Sequence, residues 1–165
     1  MKTIYLVRHA KSSWKYPALE DFERPLSGRG RRSAPLMGTV LKKLKTAPHL
    51  MISSPANRAA MTARMIAGGI DYPLDRILYS EVLYMSDKKA LLDVIKNMDD
   101  VVSRAMLIGH NPAITELAAY ISDRRITNIP TCGACRIDLD ITSWIDIDKN
   151  CGKMRFFEFP KNHVP

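Results

Sequence analysis

Apolar positions along the chain fall into short blocks that alternate between two spacings. Residues 2–7 (KTIYLV), 49–53 (HLMIS), 76–80 (RILYS) and 104–108 (RAMLI) are β-rich runs bounded by polar or turn residues, and each predicts a strand. Helical spacing fills the intervals. Residues 27–45 predict a helix capped by Ser27, which Pro35 should kink or restart. A second helix is expected with Ser54 as its cap, Pro55 at its first position and Gly68 and Gly69 at its end. A third should run from a Ser86 cap to Met98, with Leu91, Leu92 and Ile95 on one face. A fourth starts at Asn111 and Pro112 and reaches Ile121. From Ala134 the spacing turns to two, in ACRIDLDI and later KMRFFEF, which predicts two strands with a loop carrying Trp144 between them.

Four strand-then-helix units in succession predict an α/β fold. The expected architecture is a single three-layer domain over residues 1–165, a mostly parallel sheet with helices on both faces. The last two runs would add an antiparallel edge. No internal repeat, low-complexity tract or linker interrupts the pattern. In sheets of this kind ligands bind beyond the carboxyl ends of the strands, which says where to look for chemistry.

Composition narrows the class. With 165 residues, 46% hydrophobic and 25% charged, the chain is a globular protein rather than a disordered, collagenous or disulfide-dense one. No apolar run approaches the ~20 residues of a membrane span. The first apolar stretch ends at Arg8, too short for a signal peptide, so a cytoplasmic protein is expected. Three cysteines, an odd number, fit that expectation. Charge changes the picture more. Residues 1–65 carry 13 Lys and Arg against only Glu20, Asp21 and Glu23, whereas the remainder carries 12 against 14. Such asymmetry points to an anionic ligand, with a merely solvated basic face as the bland alternative.

The predicted strand ends supply the candidates. The first strand runs into Arg8, His9, Ala10 and Lys11, and the second into Ser53, Ser54 and Pro55, with Arg58 one turn later. The third ends at Ser80 and Glu81, the fourth in Gly109, His110, Asn111 and Pro112. Taken singly each is ambiguous: a histidine after a buried strand is more often structural, and an arginine on a first helical turn is usually a surface charge. Jointly, two histidines, two arginines and a carboxylate on one rim are hard to ascribe to accident.

These residues resemble the histidine phosphatase superfamily, whose fold is called phosphoglycerate-mutase-like and whose signature is Arg-His-Gly after the first strand. The chain is most similar to the small SixA-type phosphohistidine phosphatases. The likeness covers nearly all of it: VRHAK at 7–11, RPLSGRG at 24–30, SSPANRAAMTA at 53–63, a strand with Glu81, and LIGHNP at 107–112. Ala10 stands where the signature has glycine, and the helical insertions that carry substrate contacts in mutases and acid phosphatases are missing.

The resemblance implies a phosphatase with His9 as nucleophile, forming a phosphohistidine intermediate that water hydrolyses. Arg8 and Arg58 would clamp the phosphoryl oxygens with planar, bidentate donors, and a protonated His110 would add another. Arg24 is expected near the pocket mouth or bracing the loop. Glu81 matches the acidic residue of the mutase branch; as general acid or as a carboxylate that merely orients a neighbour, both readings stay open. Where acid phosphatases place their acid, this chain has Asn111. Ser54 reads as a helix cap, and Thr131 and Cys132 as candidates for the far wall of the pocket. No cofactor and no metal is expected. Cys132, Cys135, Cys151 and His163 can be drawn as a zinc site, but two thiols flanking a strand start should face different ways. The expected substrate is a phosphorylated protein such as a phosphotransfer domain or phosphocarrier, alternatively a small phosphorylated molecule, with inorganic phosphate as product. Neither nucleic acid nor membrane is expected as partner, since no interleaved aromatic set accompanies the basic residues.

Overall fold

A computed structural model describes residues 1–164. Six strands form one sheet: β1 (Lys2–Arg8), β2 (Leu50–Ser53), β3 (Leu78–Tyr79), β4 (Arg104–Gly109), β5 (Ala134–Leu139) and β6 (Gly152–Glu158), in the order β3-β2-β4-β1-β5-β6. The first four are parallel, while β5 runs antiparallel to β1 and β6 antiparallel to β5. Four helices cover the sheet: α1 (Gly28–Lys43), α2 (Asn57–Gly69), α3 (Lys88–Lys96) and α4 (Ala113–Ile121). The fold is the expected three-layer α/β arrangement with an antiparallel edge.

Alternation along β1 explains the two cores. Tyr5 and Val7 pack with α1 and α2 on one face, Ile4 and Leu6 with α3 and α4 on the other. A mid-sheet strand covered on both faces has to be apolar throughout, which is why KTIYLV reads as a continuous block. Trp144, fully buried, closes the second core, and its Nε1 donates to the Val102 carbonyl at 2.8 Å.

Several local expectations are corrected. The helix α1 runs through Pro35 without restarting. Pro35 sits on its exposed face, so water can serve the Arg31 carbonyl that loses its bond, while Ala34, Met37 and Leu41 keep the opposite face packed. Ser27 does cap α1, accepting from the Gly30 amide at 3.1 Å. Ser54 does not cap α2; Ala56 holds that position without a side-chain bond, and α2 begins at Asn57. Asp87, not Ser86, caps α3, accepting from the Ala90 amide at 2.8 Å. Gly68 and Gly69 end α2, yet the left-handed residue is Asp71 (φ 61°). Gly69 instead lets two helices touch: a Cβ there would stand 2.7 Å from the Gly38 Cα. Finally, β3 is only two residues long, because Leu74–Arg76 closes into a single helical turn and takes Arg76 out of the edge strand.

Candidate active site

Strand register sets the site. Arg8 lies opposite Gly109, and Ser53 opposite Ile108, so β1, β4 and β2 end level with one another. The next residues, His9, His110 and Ser54, therefore leave the sheet side by side. Two further bonds fix them: the His9 amide donates to the Gly109 carbonyl at 3.0 Å, and the Ser54 amide to the Ile108 carbonyl at 2.9 Å.

His9 is 9% exposed, and its Nδ1 lies 2.7 Å from the Ala10 carbonyl oxygen. A carbonyl only accepts, so Nδ1 carries the proton and Nε2 keeps a lone pair. Burial pushes this imidazole down to about 3; the bond to Ala10 opposes the shift, and His110, Arg58 and Arg8 add to it. His110, whose ring centroid is 5.0 Å from that of His9, is pushed down to about 4, first by burial and then by Arg58. His110 thus favours the neutral form here, and its role as a donor depends on a charge that draws a proton onto it. Its Nε2 pairs with the Ser54 Oγ at 2.8 Å, and the same hydroxyl accepts from the Ala56 amide at 3.2 Å, ahead of the start of α2 at Asn57.

The loop behind His9 is braced from two sides. The Ala10 amide donates to Thr62 Oγ1 of α2 at 3.0 Å, and the Ala10 methyl is buried in the core against α1 and α2. Alanine in place of the signature glycine therefore fits. Gly30 in RPLSGRG is required for the opposite reason: a Cβ there would stand 2.2 Å from the Lys11 carbonyl oxygen.

Three arginines converge here. Arg8 Nη1 donates to the Ile129 carbonyl at 3.1 Å, which also accepts from Asn111 Nδ2 at 3.0 Å. Asn111 is thus a brace for the wall that orients Arg8. Arg58 donates from Nη1 to the Asp21 carbonyl (2.6 Å) and from Nη2 to its Oδ2 (2.9 Å). Arg24 reaches Asp21 Oδ1 at 2.9 Å, the Ser13 carbonyl at 3.2 Å and the Ser12 hydroxyl, and the Trp14 ring lies 3.4 Å from its Cζ. Arg24 consequently does both things expected of it, lining the pocket and bracing the loop. Tyr84 adds a phenol, donating to Asp21 Oδ2 at 2.7 Å. That bond first, and the arginines after it, hold the Asp21 carboxyl down to about 2.

The pocket has two lobes meeting at Arg58. One, of about 210 Å³, is lined by Arg8, His9, Lys11, Trp14, Arg24 and Thr131. The other, of about 310 Å³, is lined by Asp21, Tyr84, Met85, His110 and Asn111. Two pocket nitrogens, Arg8 Nε and His110 Nδ1, are buried without a partner. Unpaired buried polar atoms are costly and concentrate where a ligand completes them.

Arg8, His9, Arg24, Arg58 and His110 are thus brought together, and Thr131 lines the pocket as expected. Glu81 is not part of the cluster. It follows β3 in a single helical turn, exposed, and its carboxylate has no hydrogen-bond partner among the described residues. The carboxylate wired to the arginines is Asp21. Sequence reasoning missed Asp21 and Tyr84, although a handful of acids inside a strongly basic segment was a usable signal. Cys132 donates its amide to the His9 carbonyl at 3.0 Å, but its side chain is fully buried. Cys132 and Cys135 belong to the cores on opposite faces of the sheet, so these two thiols share no site.

The family described as the histidine phosphatase superfamily (branch 1) matches residues 4–78. Rv1276c, an uncharacterised protein of Mycobacterium tuberculosis, is 30% identical over 94% of this chain and its own full length. Among solved structures, the protein histidine phosphatase SixA complexed with tungstate superposes with a TM-score of 0.84 at 20% identity, over 98% of this chain and 99% of that one. A protein assigned as SixA phosphohistidine phosphatase from Agrobacterium tumefaciens does so with a TM-score of 0.81 at 25% identity, covering 96% and 98%. The chain belongs to the histidine phosphatase superfamily, in its SixA-type group. No helix among the described residues is long and apolar enough to cross a membrane.

Proposed function

We propose that this protein is a phosphatase that removes the phosphoryl group from phosphohistidine on a protein, through an intermediate on His9. The Nε2 lone pair of His9 attacks phosphorus, and the bond from phosphorus to the substrate imidazole breaks. The substrate reacts with its phosphorylated ring in the imidazolium form, protonated on the other nitrogen; the electron pair of the broken bond goes to the departing ring nitrogen, so neutral imidazole leaves. Water then attacks the phosphorus on His9 and releases inorganic phosphate. Arg8 and Arg58 surround the equatorial oxygens, and Arg24 extends that positive wall. A bound phosphoryl dianion would draw a proton onto His110, because opposite charge favours the protonated imidazole.

One observation carries the choice of substrate. The pocket carboxylate, Asp21, is held down to about 2 and is therefore ionised at neutral pH, and Glu81 lies outside the cluster. No carboxylic acid is poised to protonate an alkoxide. Phosphohistidine needs no protein acid, because its ring takes the required proton from solvent near neutral pH and then leaves as neutral imidazole. The guanidinium groups supply the charge that paired metals supply elsewhere, so no metal is required, and EDTA is expected to leave the rate unchanged. The deciding experiment compares a phosphorylated phosphotransfer domain and free phosphohistidine with sugar phosphates and nucleotides. It should leave acid-labile, alkali-stable phosphate on His9. Turnover of a metabolite orders of magnitude faster than any phosphohistidine protein would replace this reading with a small-molecule phosphomonoesterase.

A further inference from the structure

The pocket is not the only basic feature at its end of the sheet. Val7 pairs with Ala134, and Ala134 with Glu158, so the chain leaves β6 at the same end where β1 delivers His9. The first turn of α1 lies there too, seated on Lys11: Ser27 donates its amide to the Lys11 carbonyl at 2.8 Å, and Gly30 packs against that carbonyl. Between this turn and the segment after β6 opens a cavity of about 450 Å³, lined by Arg29, Arg32, Leu36, Pro160 and Lys161. It shares no lining residue with the phosphoryl pocket; the link is Lys11, which lines that pocket and whose carbonyl carries the first turn of α1.

The charges in this second cavity are placed against the fold's own interest. Arg29, Arg31 and Arg32 occupy the opening of α1, where no acidic residue stands in the first turn, and none of them forms an ion pair among the described residues. The positive end of the helix dipole disfavours a cation at Arg29, inside the first turn, and Arg31 and Arg32 crowd further positive charge just behind it. A protein keeps such an arrangement where an external anion compensates it. Two apolar side chains flank the same face. Trp14, 74% exposed, is held over Arg24 at the mouth of one lobe. Met85, 84% exposed and with a left-handed backbone (φ 52°), stands at the other. Strained, exposed apolar residues of this kind cluster at binding surfaces.

We infer that the α1 opening and the segment after β6 form a docking surface for an acidic protein face, which delivers its phosphoryl group to His9. The inference rests on the phosphohistidine reading and adds to it the partner's chemistry: carboxylates beside the phosphorylated side chain, received by Arg29, Arg32 and Lys161. An acidic protein fits better than a nucleic acid, because Trp14 already stacks on Arg24 and no run of aromatic platforms follows the basic groove.

The test is the double variant Arg29→Glu/Arg32→Glu, with Lys149→Glu at the opposite end of the sheet as control. The substrates are an acidic phosphotransfer domain phosphorylated with phosphoramidate, and free phosphohistidine. For the protein substrate kcat/KM should fall on the order of tenfold or more through KM, with loss of its salt dependence, while free phosphohistidine hydrolysis and the control stay unchanged. The Tm should hold or rise, since glutamates suit a first turn, so loss of fold is read separately. Equal loss on both substrates, no loss on either, or competition by an oligonucleotide stronger than by an acidic protein overturns the docking surface but leaves the phosphohistidine reading standing. Failure of the wild-type protein to hydrolyse the phosphorylated domain overturns both.

Discussion

Arg8, His9, Ser54 and His110 leave the sheet at the ends of three paired strands, whereas Asp21, Arg24 and Tyr84 arrive on connections that follow β1 and β3. The strand-borne half is fixed by backbone: each group stands one residue past a ladder bond whose register cannot slip without turning the core inside out. The loop-borne half is joined to the strand-borne half chiefly through side chains, with Asp21 accepting from Arg24, Arg58 and Tyr84. The first half is built for a rigid reaction geometry. The second surrounds it with charge that adjusts to what enters.

That contrast is breakable by experiment. The largest effect is expected at His9→Ala, which should abolish turnover with the fold retained, since a group past the strand end carries little of the core; full activity in that variant would end the mechanism. Arg58→Ala, which removes a donor from both lobes, should lower kcat by about 10²–10³, read in single-turnover kinetics. Asp21→Asn, by contrast, should cost only about tenfold and raise KM more than it lowers kcat, because it loosens charge without moving the nucleophile. A kcat loss as large as that at Arg58 would show that the loop half takes part in chemistry.

Two smaller effects concern the scaffold. Gly30→Ala must push α1 away from the Lys11 carbonyl and should destabilise the protein by about 1–3 kcal/mol, measurable by urea unfolding. The strand half also predicts a pH dependence. His9 and His110 are held neutral in the folded state, down to about 3 and about 4, while unfolded histidine titrates near 6.5. The unfolded chain therefore binds more protons in that interval, and stability falls as pH drops from about 6.5 toward 4. Thermal melts over that range should show the decline, and His110→Ala should flatten it.

The same division decides what the sequence made legible. Short continuous β-rich runs located β1, β2 and β4 within a residue or so, and the residues around their ends followed: Arg8, His9 and His110 lie where the strand-end rule puts them. Arg24 was found only through the RPLSGRG resemblance. Asp21 and Tyr84 were missed because their place depends on long connections whose path no local periodicity encodes. Glu81 stands outside the cluster for a related reason. A two-residue edge strand gives no leverage to aim the turn that follows it, and the carboxylate ends in solvent. Ser54 serves local and tertiary chemistry together: its hydroxyl accepts from the Ala56 amide in the turn before α2, which starts later than the proline suggested, and pairs with the His110 imidazole.

Asp21 has a bearing on departure as well as arrival. Bare guanidinium groups in a half-buried pocket would hold inorganic phosphate firmly, and the free product is abundant wherever phosphoryl groups are turned over. Because an internal carboxylate already occupies donors of Arg24 and Arg58, product bound there competes with an anion that never leaves. Retention is weakened by the amount that Asp21 regains when phosphate goes. Under the proposed mechanism the arginines would return to Asp21 after each turnover, and the site would not fill with its own product.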